Sequence, residues 1–311
     1  MSPKMISIVV PIQNEELCIK EFLSRLKKVL KKIKYENEII FVDDGSDDNS
    51  LKILEKEFQS GSNIKIISFT RNFGHQSALL AGYDFAQGDC VITMDADLQH
   101  PPELINEMVV KWEEGYDIVF TIRKKTEGCS IIKRLTSALY YKILDTIGEI
   151  HINPAVADFR LLDRRVVDHL KELNERYKFI RGLVSWLGYK SYGLEYTAKK
   201  RFAGDTKYSM KKMILFSLDG ITSFSISPLR VSSLLGGVVS ILSFIYLIFV
   251  LFVHFFTNRT IPGWSSIILC ILFLGGIQLL AIGVLGEYIG RIYIELKRRP
   301  TYIIDKKIGY D

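Results

Sequence analysis

The stretch Cys90-Val91-Ile92-Thr93-Met94-Asp95-Ala96-Asp97-Leu98-Gln99-His100-Pro101-Pro102 decides the fold. Cys90–Met94 is a short apolar run, as expected of a strand buried on both faces. Two carboxylates and an amide follow it at once. The prolines then open a helical stretch, since proline suits a first helical turn. Strand, polar turn, helix is the repeating unit of a parallel α/β sheet, whose ligands sit beyond the carboxyl ends of the strands.

Working outward, the same unit recurs. Met5–Val10, Glu38–Val42, Ile64–Phe69 and Asp117–Thr121 read as further strands. Glu15–Ile33, Asn49–Gln59, His75–Ala86 and Pro102–Glu113 read as helices, the second following a cap-like Ser46-Asp47-Asp48. The expected fold is therefore α/β, a Rossmann-like, mostly parallel sheet with right-handed crossovers. Each strand ends in acids, amides or arginines: Pro11-Ile12-Gln13-Asn14-Glu15-Glu16, Asp43-Asp44-Gly45-Ser46, Thr70-Arg71-Asn72-Phe73-Gly74, Asp95-Ala96-Asp97-Leu98-Gln99, and Arg123. Taken singly, Asp-Gly-Ser is a common turn and Asp-x-Asp arises by chance. Gathered on one edge, they point to a shared site.

Paired carboxylates just past a strand suit one hard cation, Mg²⁺ or Mn²⁺, which keeps positions open for substrate phosphates. No Gly-x-x-x-x-Gly-Lys-Ser/Thr loop is present, and no Gly-x-Gly-x-x-Gly follows the first strand, which excludes a P-loop and argues against a dinucleotide site.

Of the 311 residues 48% are hydrophobic, and the net charge is +6. The excess apolar residues sit at one end: from Val231 to Gly286 the only formal charge is Arg259. Val231–Phe256 and Ile261–Gly286 are each 26 residues, about 39 Å as helix and enough to cross a hydrocarbon core of about 30 Å. The alternative is a pair of buried core helices. Basic residues flank the pair, with Arg291, Lys297, Arg298, Arg299, Lys306 and Lys307 after it, so both termini are expected in the cytoplasm. The N-terminal apolar run is strand-sized, not a signal peptide, and four unpatterned cysteines suit a reducing compartment. The expected division is a cytoplasmic catalytic domain over 1–209, a juxtamembrane stretch over 210–230, a two-helix membrane hairpin over 231–290 and a basic tail over 291–311. Met210–Leu229 reads as an interfacial helix, or else as an amphipathic helix packed on the catalytic domain.

The series Pro-x-x-Asn-Glu, Asp-Asp-Gly-Ser, Arg-Asn-Phe-Gly, Asp-Ala-Asp-Leu-Gln-x-Pro-Pro-Glu, Asp-Phe-Arg-Leu, Gly-x-Thr-Lys-Tyr-Ser and Gly-Glu-Tyr-Ile-Gly-Arg resembles the family 2 glycosyltransferases acting on polyprenyl phosphate. These include the dolichol-phosphate mannose synthases and, more closely, the bactoprenol glucosyltransferases with two C-terminal spans. The likeness runs from Ile6 to about Tyr302. It implies a GT-A domain binding a nucleotide-sugar, with UDP-glucose the leading donor and polyprenyl (undecaprenyl) phosphate the acceptor. It implies that Pro11, Glu15, Asp43 and Asp44 hold base and ribose, that Asp95 helps bind diphosphate and metal, and that Asp97 and Gln99 are direct metal ligands. Arg123, Arg134, Ser137, Arg201 and Lys207 fall where relatives face the lipid phosphate or the donor. Asp158 falls where the family has an acid near the acceptor site. Gln13 stands where many relatives have Tyr, and Ala157 where many have Gly.

A lipid monophosphate is already anionic, so inverting transfer to it needs little general-base help, and Asp158 is open to either a base or an orienting role. Arg201–Ser209, with its Gly204, reads as a mobile lid; its basic residues alternatively form a solvated or lipid-attracting face. The paired glycines Gly236-Gly237 and Gly275-Gly276, with Gly283 and Gly286, offer surfaces for a homo-oligomer, and Glu287 and Arg291 sit at ion-pair spacing. The bilayer is an expected partner and nucleic acid is not. Competing readings are transfer to diacylglycerol or ceramide, with Asp158 as base, and a non-catalytic membrane scaffold. A processive polysaccharide synthase would carry a Gln-x-x-Arg-Trp motif, absent here.

Overall fold

The computed structural model describes residues 4–123, 156–173, 175, 179–196, 227–256 and 263–310. Arg134, Ser137, Arg201, Lys207 and the stretch 210–226 lie outside the described residues, so the lid, the interfacial helix and these four site residues stay expectations. The chain forms two compact units, the first returning to itself after Arg299.

The first unit is built on β1 (Met5–Ile12), β2 (Glu36–Asp43), β3 (Ile64–Phe69), β4 (Cys90–Thr93), β5 (Ile118–Arg123), β6 (Val156–Asp163), β7 (Ser191–Tyr196) and β8 (Ile304–Ile308). The sheet order is β7-β5-β6-β4-β1-β2-β3-β8. β1 pairs in parallel with both β2 and β4, β2 with β3, and β5 with β7. Strand order reverses at β1, so the crevice beyond the ends of β1 and β4 is the topological switch point where such sheets bind ligands.

Helices α1 (Ile19–Leu30), α2 (Ser50–Gln59), α3 (His75–Phe85) and α4 (Ile105–Glu113) follow β1 to β4, the last after a 3₁₀ turn at Pro102–Leu104. α1 buries Ile19, Phe22, Leu23, Leu26, Val29 and Leu30, the three-four spacing of one helical face. That face packs with Ile8, Phe41, Leu54 and Met108 into the core. α5 (Arg164–Glu172) starts at Asp163, whose carboxylate accepts from the Arg165 amide. α6 (Ile180–Trp186) follows.

Two strands depart from the expected parallel pattern. β6 carries Asp158-Phe159-Arg160-Leu161 and runs antiparallel between β4 and β5. β8 runs antiparallel to β3, so residues 304–308, read as part of a basic tail, form an edge strand instead. Its inner positions Asp305, Lys306 and Lys307 are exposed, and charge is what keeps an open edge from pairing with other chains.

The second unit holds α7 (Ser227–Phe256) and α8 (Trp264–Leu296), which contact each other. Both are long and apolar enough to cross a membrane, and their candidate spans are not buried within the protein. Glu287 and Arg291 pair at 3.2 Å, as their spacing predicts.

Candidate active site

The site begins with how the loops after β1, β2 and β3 hold one another. Asn14 takes positive φ (56°), and the Asn14 amide donates to Ser46 Oγ at 3.0 Å. The Asn14 side chain accepts from the Asp47 amide at 2.8 Å, and the Glu15 amide donates to Ser50 Oγ at 2.9 Å. Gly45 has φ 65°, and a Cβ there would lie 2.5 Å from the carbonyl carbon of Arg71. Only glycine lets these two loops come so close.

The predicted base-and-ribose residues lie at this junction. Pro11 is buried within β1, in register with Val42. Asp43 accepts from the Ser46 amide and from Ser68 Oγ, both at 3.2 Å. Asp44 accepts from the Phe73 amide at 2.7 Å and the Gly74 amide at 3.0 Å. Burial raises both carboxyls, against those hydrogen bonds. Both aspartates therefore set loop geometry; Asp44 in particular fixes the turn that starts α3.

Past β4, Asp97 Oδ1 accepts from the Gln99 amide at 3.0 Å, and Leu98 between them takes φ 61°. A buried non-glycine residue in the left-handed region costs roughly 1–2 kcal/mol and persists only where surroundings enforce it. Asp97 is buried and Asp95 is open to the crevice. The amide of Asp95 donates to His100 Nδ1 at 3.4 Å, and the His100 ring stacks on Phe159. The donor set, two carboxylates and an amide within five residues, has the oxygen chemistry of a hard cation. Among the described residues no group of three or more His, Cys, Asp or Glu gathers to cage a metal. Mg²⁺ commonly binds through one or two carboxylates and takes its other ligands from phosphates and water, so these residues fit.

β6 brings Asp158 to the same edge. Thr93 lies opposite Arg160, and Thr93 Oγ1 donates to the Asp158 carbonyl at 2.6 Å. Asp158 Oδ1 accepts from Arg160 Nη2 at 2.7 Å and Arg181 Nε at 2.9 Å; Oδ2 accepts from Arg181 Nη2 at 2.6 Å. Burial would raise this carboxyl, but Arg181 above all, with His75 and Arg160, holds it well below the usual carboxylate range. His75 Nε2 lies 3.6 Å from Asp158 Oδ2 and 3.8 Å from Asp95 Oδ1. Burial pulls the His75 pKa down, yet Asp158 and Asp95 outweigh it and lift it to about 9. The Ile180 amide donates to Gln76 Oε1 at 3.2 Å, tying the start of α3 to α6, which carries Arg181.

The structure thus brings Asp95, Asp97, Gln99 and Asp158 to one sheet edge, and Arg123 ends β5 opposite Tyr196. Four contributors were missed from sequence: His75, His100, Arg160 and Arg181. The first three directly abut quoted motifs or lie inside them, a signal that was available. Arg181 lies in no motif and reaches Asp158 only through the fold.

The mostly parallel sheet, with acidic residues and arginines collected at its switch point, is the fold of a GT-A glycosyltransferase. The chain belongs to glycosyl transferase family 2, whose profile matches residues 7–171. It is 49% identical over 305 residues to the uncharacterized glycosyltransferase YkcC of Bacillus subtilis, covering 98% of this chain and 94% of that one. It is 42% identical to a prophage bactoprenol glucosyl transferase homolog of Escherichia coli, covering 97% and 98%. It is 43% identical to the bactoprenol glucosyl transferase of Shigella phage SfII, covering 97% of each. Among solved structures it is similar to S. aureus TarS 1–349 in complex with UDP-GlcNAc, at 19% identity and TM-score 0.47, covering 71% of this chain and 66% of that one.

Proposed function

We propose that this glycosyltransferase moves glucose from UDP-glucose onto a polyprenyl phosphate of the undecaprenyl type at the cytoplasmic face of the membrane, with inversion at the anomeric carbon. The carrying observation is the state of Asp158. Both its oxygens accept from guanidinium groups and its proton affinity is depressed, so it is a poor general base. A neutral lipid alcohol needs such a base; a lipid phosphate brings its own negative charge. This favours the phosphate acceptor over diacylglycerol, and the relatives named bactoprenol glucosyl transferases support the same choice.

In this reading the lipid phosphate oxygen attacks the anomeric carbon, the bond from that carbon to the diphosphate breaks, and UDP leaves. Asp158 orients Arg160 and Arg181 by charge and hydrogen bonding. Arg123, Arg134, Ser137, Arg201 and Lys207 face the lipid phosphate or the donor, lowering repulsion between two anions. Glu15, with the loops that Asp43 and Asp44 brace, receives base and ribose. Asp95, Asp97 and Gln99 would hold Mg²⁺ or Mn²⁺, which supplies positive charge against the diphosphate leaving group. The two exposed apolar helices and their basic flanks support a membrane hairpin with both termini in the cytoplasm. Glycines on them would admit a second copy as a homo-oligomer.

The test incubates purified protein with Mn²⁺, labelled nucleotide-sugars and either undecaprenyl phosphate or diacylglycerol, scoring lipid-extractable label. Label from UDP-glucose on the phosphate, lost at least about 10³-fold in Asp97→Ala, is expected. Label on diacylglycerol alone overturns the acceptor, and full transfer by Asp97→Ala overturns the metal role.

A further inference from the structure

His75 is assigned no role by the reading above, yet it stands inside the site. Asp44 clamps the amides of Phe73 and Gly74, Gly74 takes φ 98°, and the chain turns directly into α3 with His75 as its first residue. The imidazole is therefore delivered by a braced turn. Its Nε2 faces Asp158 Oδ2 at 3.6 Å and Asp95 Oδ1 at 3.8 Å. Both neighbours only accept hydrogen bonds when ionised, so Nε2 carries a proton. The gaps exceed a good hydrogen bond, and an oxygen lying beside the pair reaches both groups.

The opening is graded. His75 and Asp95 side chains are 36% and 35% exposed, and Asp158 is 8% exposed. A carboxylate offers about four lone-pair positions. Asp158 Oδ1 has two donors, from Arg160 and Arg181, and Oδ2 has one, from Arg181. One acceptor position is left on Oδ2, the atom nearest His75. An incoming group that accepts from Nε2–H and donates to Oδ2 completes the arrangement. An ionised phosphate oxygen only accepts and leaves Oδ2 without its donor. A sugar hydroxyl does both.

Resting on the donor reading above, we propose that His75 is a specificity-determining residue that seats one hydroxyl of the donor's hexosyl ring between its Nε2–H and Asp158 Oδ2. Asp44 then acts on the sugar at one remove, by holding the turn that presents His75. A site built to bond a hydroxyl discriminates against the analogue lacking it, because its polar groups are left unpaired.

The experiment uses the full chain in detergent with Mn²⁺ and measures binding of UDP, UDP-glucose and the 2-, 3-, 4- and 6-deoxyglucose analogues of UDP-glucose by calorimetry, without acceptor. Wild type, His75→Ala and His75→Gln are compared. In wild type one deoxy analogue binds about tenfold more weakly than UDP-glucose. In His75→Ala, UDP-glucose weakens by a similar factor, UDP is unchanged, and that analogue's penalty disappears. His75→Gln, which keeps a donor, recovers part of the loss. Equal weakening of UDP and UDP-glucose in both variants, or deoxy penalties unchanged in His75→Ala, overturns the proposal while leaving the donor reading intact. If wild type binds UDP but gains nothing from the glucosyl group in transfer or affinity, the donor reading falls, and this proposal with it.

Discussion

The two units use similar apolar residues for opposite ends. In the sheet unit, Phe22 and Phe41 meet edge to face in a closed core. In the helical unit, Phe244 and Leu279 are 63% and 72% exposed, among many others like them. Glycines divide the same way. A Cβ on Gly82 would lie 2.1 Å from Val9 Cγ1, whereas Gly236, Gly237, Gly275 and Gly276 meet nothing within 4 Å. One unit solvates its apolar groups with itself. The other leaves them open, the kind of surface that meets a membrane or another protein. Hydrophobicity alone does not distinguish them; which atoms lie opposite does.

The contrast breaks most directly by truncation. Phe41→Ala should destabilise the sheet unit by about 3–5 kcal/mol, read by urea unfolding in detergent, while Phe244→Ala should cost under about 0.5 kcal/mol. Comparable losses would mean that the helical unit's outward face is packed against protein. Adding a methyl sharpens the point. Gly82→Ala forces α3 off β1 and should cost about 1–3 kcal/mol. Gly276→Ala should be neutral or favourable by up to about 1 kcal/mol through helix propensity. If Gly276→Ala instead lowers the mass of the detergent complex, a second copy covers that glycine. A further effect concerns the returning strand. Tyr302 stacks on Phe69 and donates to Asp84 Oδ2 at 2.6 Å. Tyr302→Phe keeps the stack and loses the bond, so about 1 kcal/mol should go, seen as faster amide exchange in β8.

Much of the first unit was legible because its signals are local. Strand runs such as Ile64–Phe69 and the helical face of α1 announce themselves within ten or so residues. The Asp95–Gln99 turn is a single contiguous motif. What was not legible depends on long-range pairing. β8 looked like a basic tail because an edge strand shows its charges to solvent. β6 stayed hidden as a strand, since Asp158 and Arg160 interrupt the apolar run that would mark one. Arg181 joins the site only when the fold brings α6 within reach of Asp158, 23 residues away in the chain. Asp44 reads as a ligand from its motif; its hydrogen bonds to Phe73 and Gly74 show it bracing the turn that presents His75.

The return of the chain to the sheet through β8 makes the helical pair an inserted cassette and not a trailing anchor. A single backbone cut between Tyr196 and Ser227 would leave the C-terminal fragment gripped by the β3–β8 ladder and the Tyr302 stack. Two separately expressed pieces are therefore expected to co-purify, since the second carries its own docking strand.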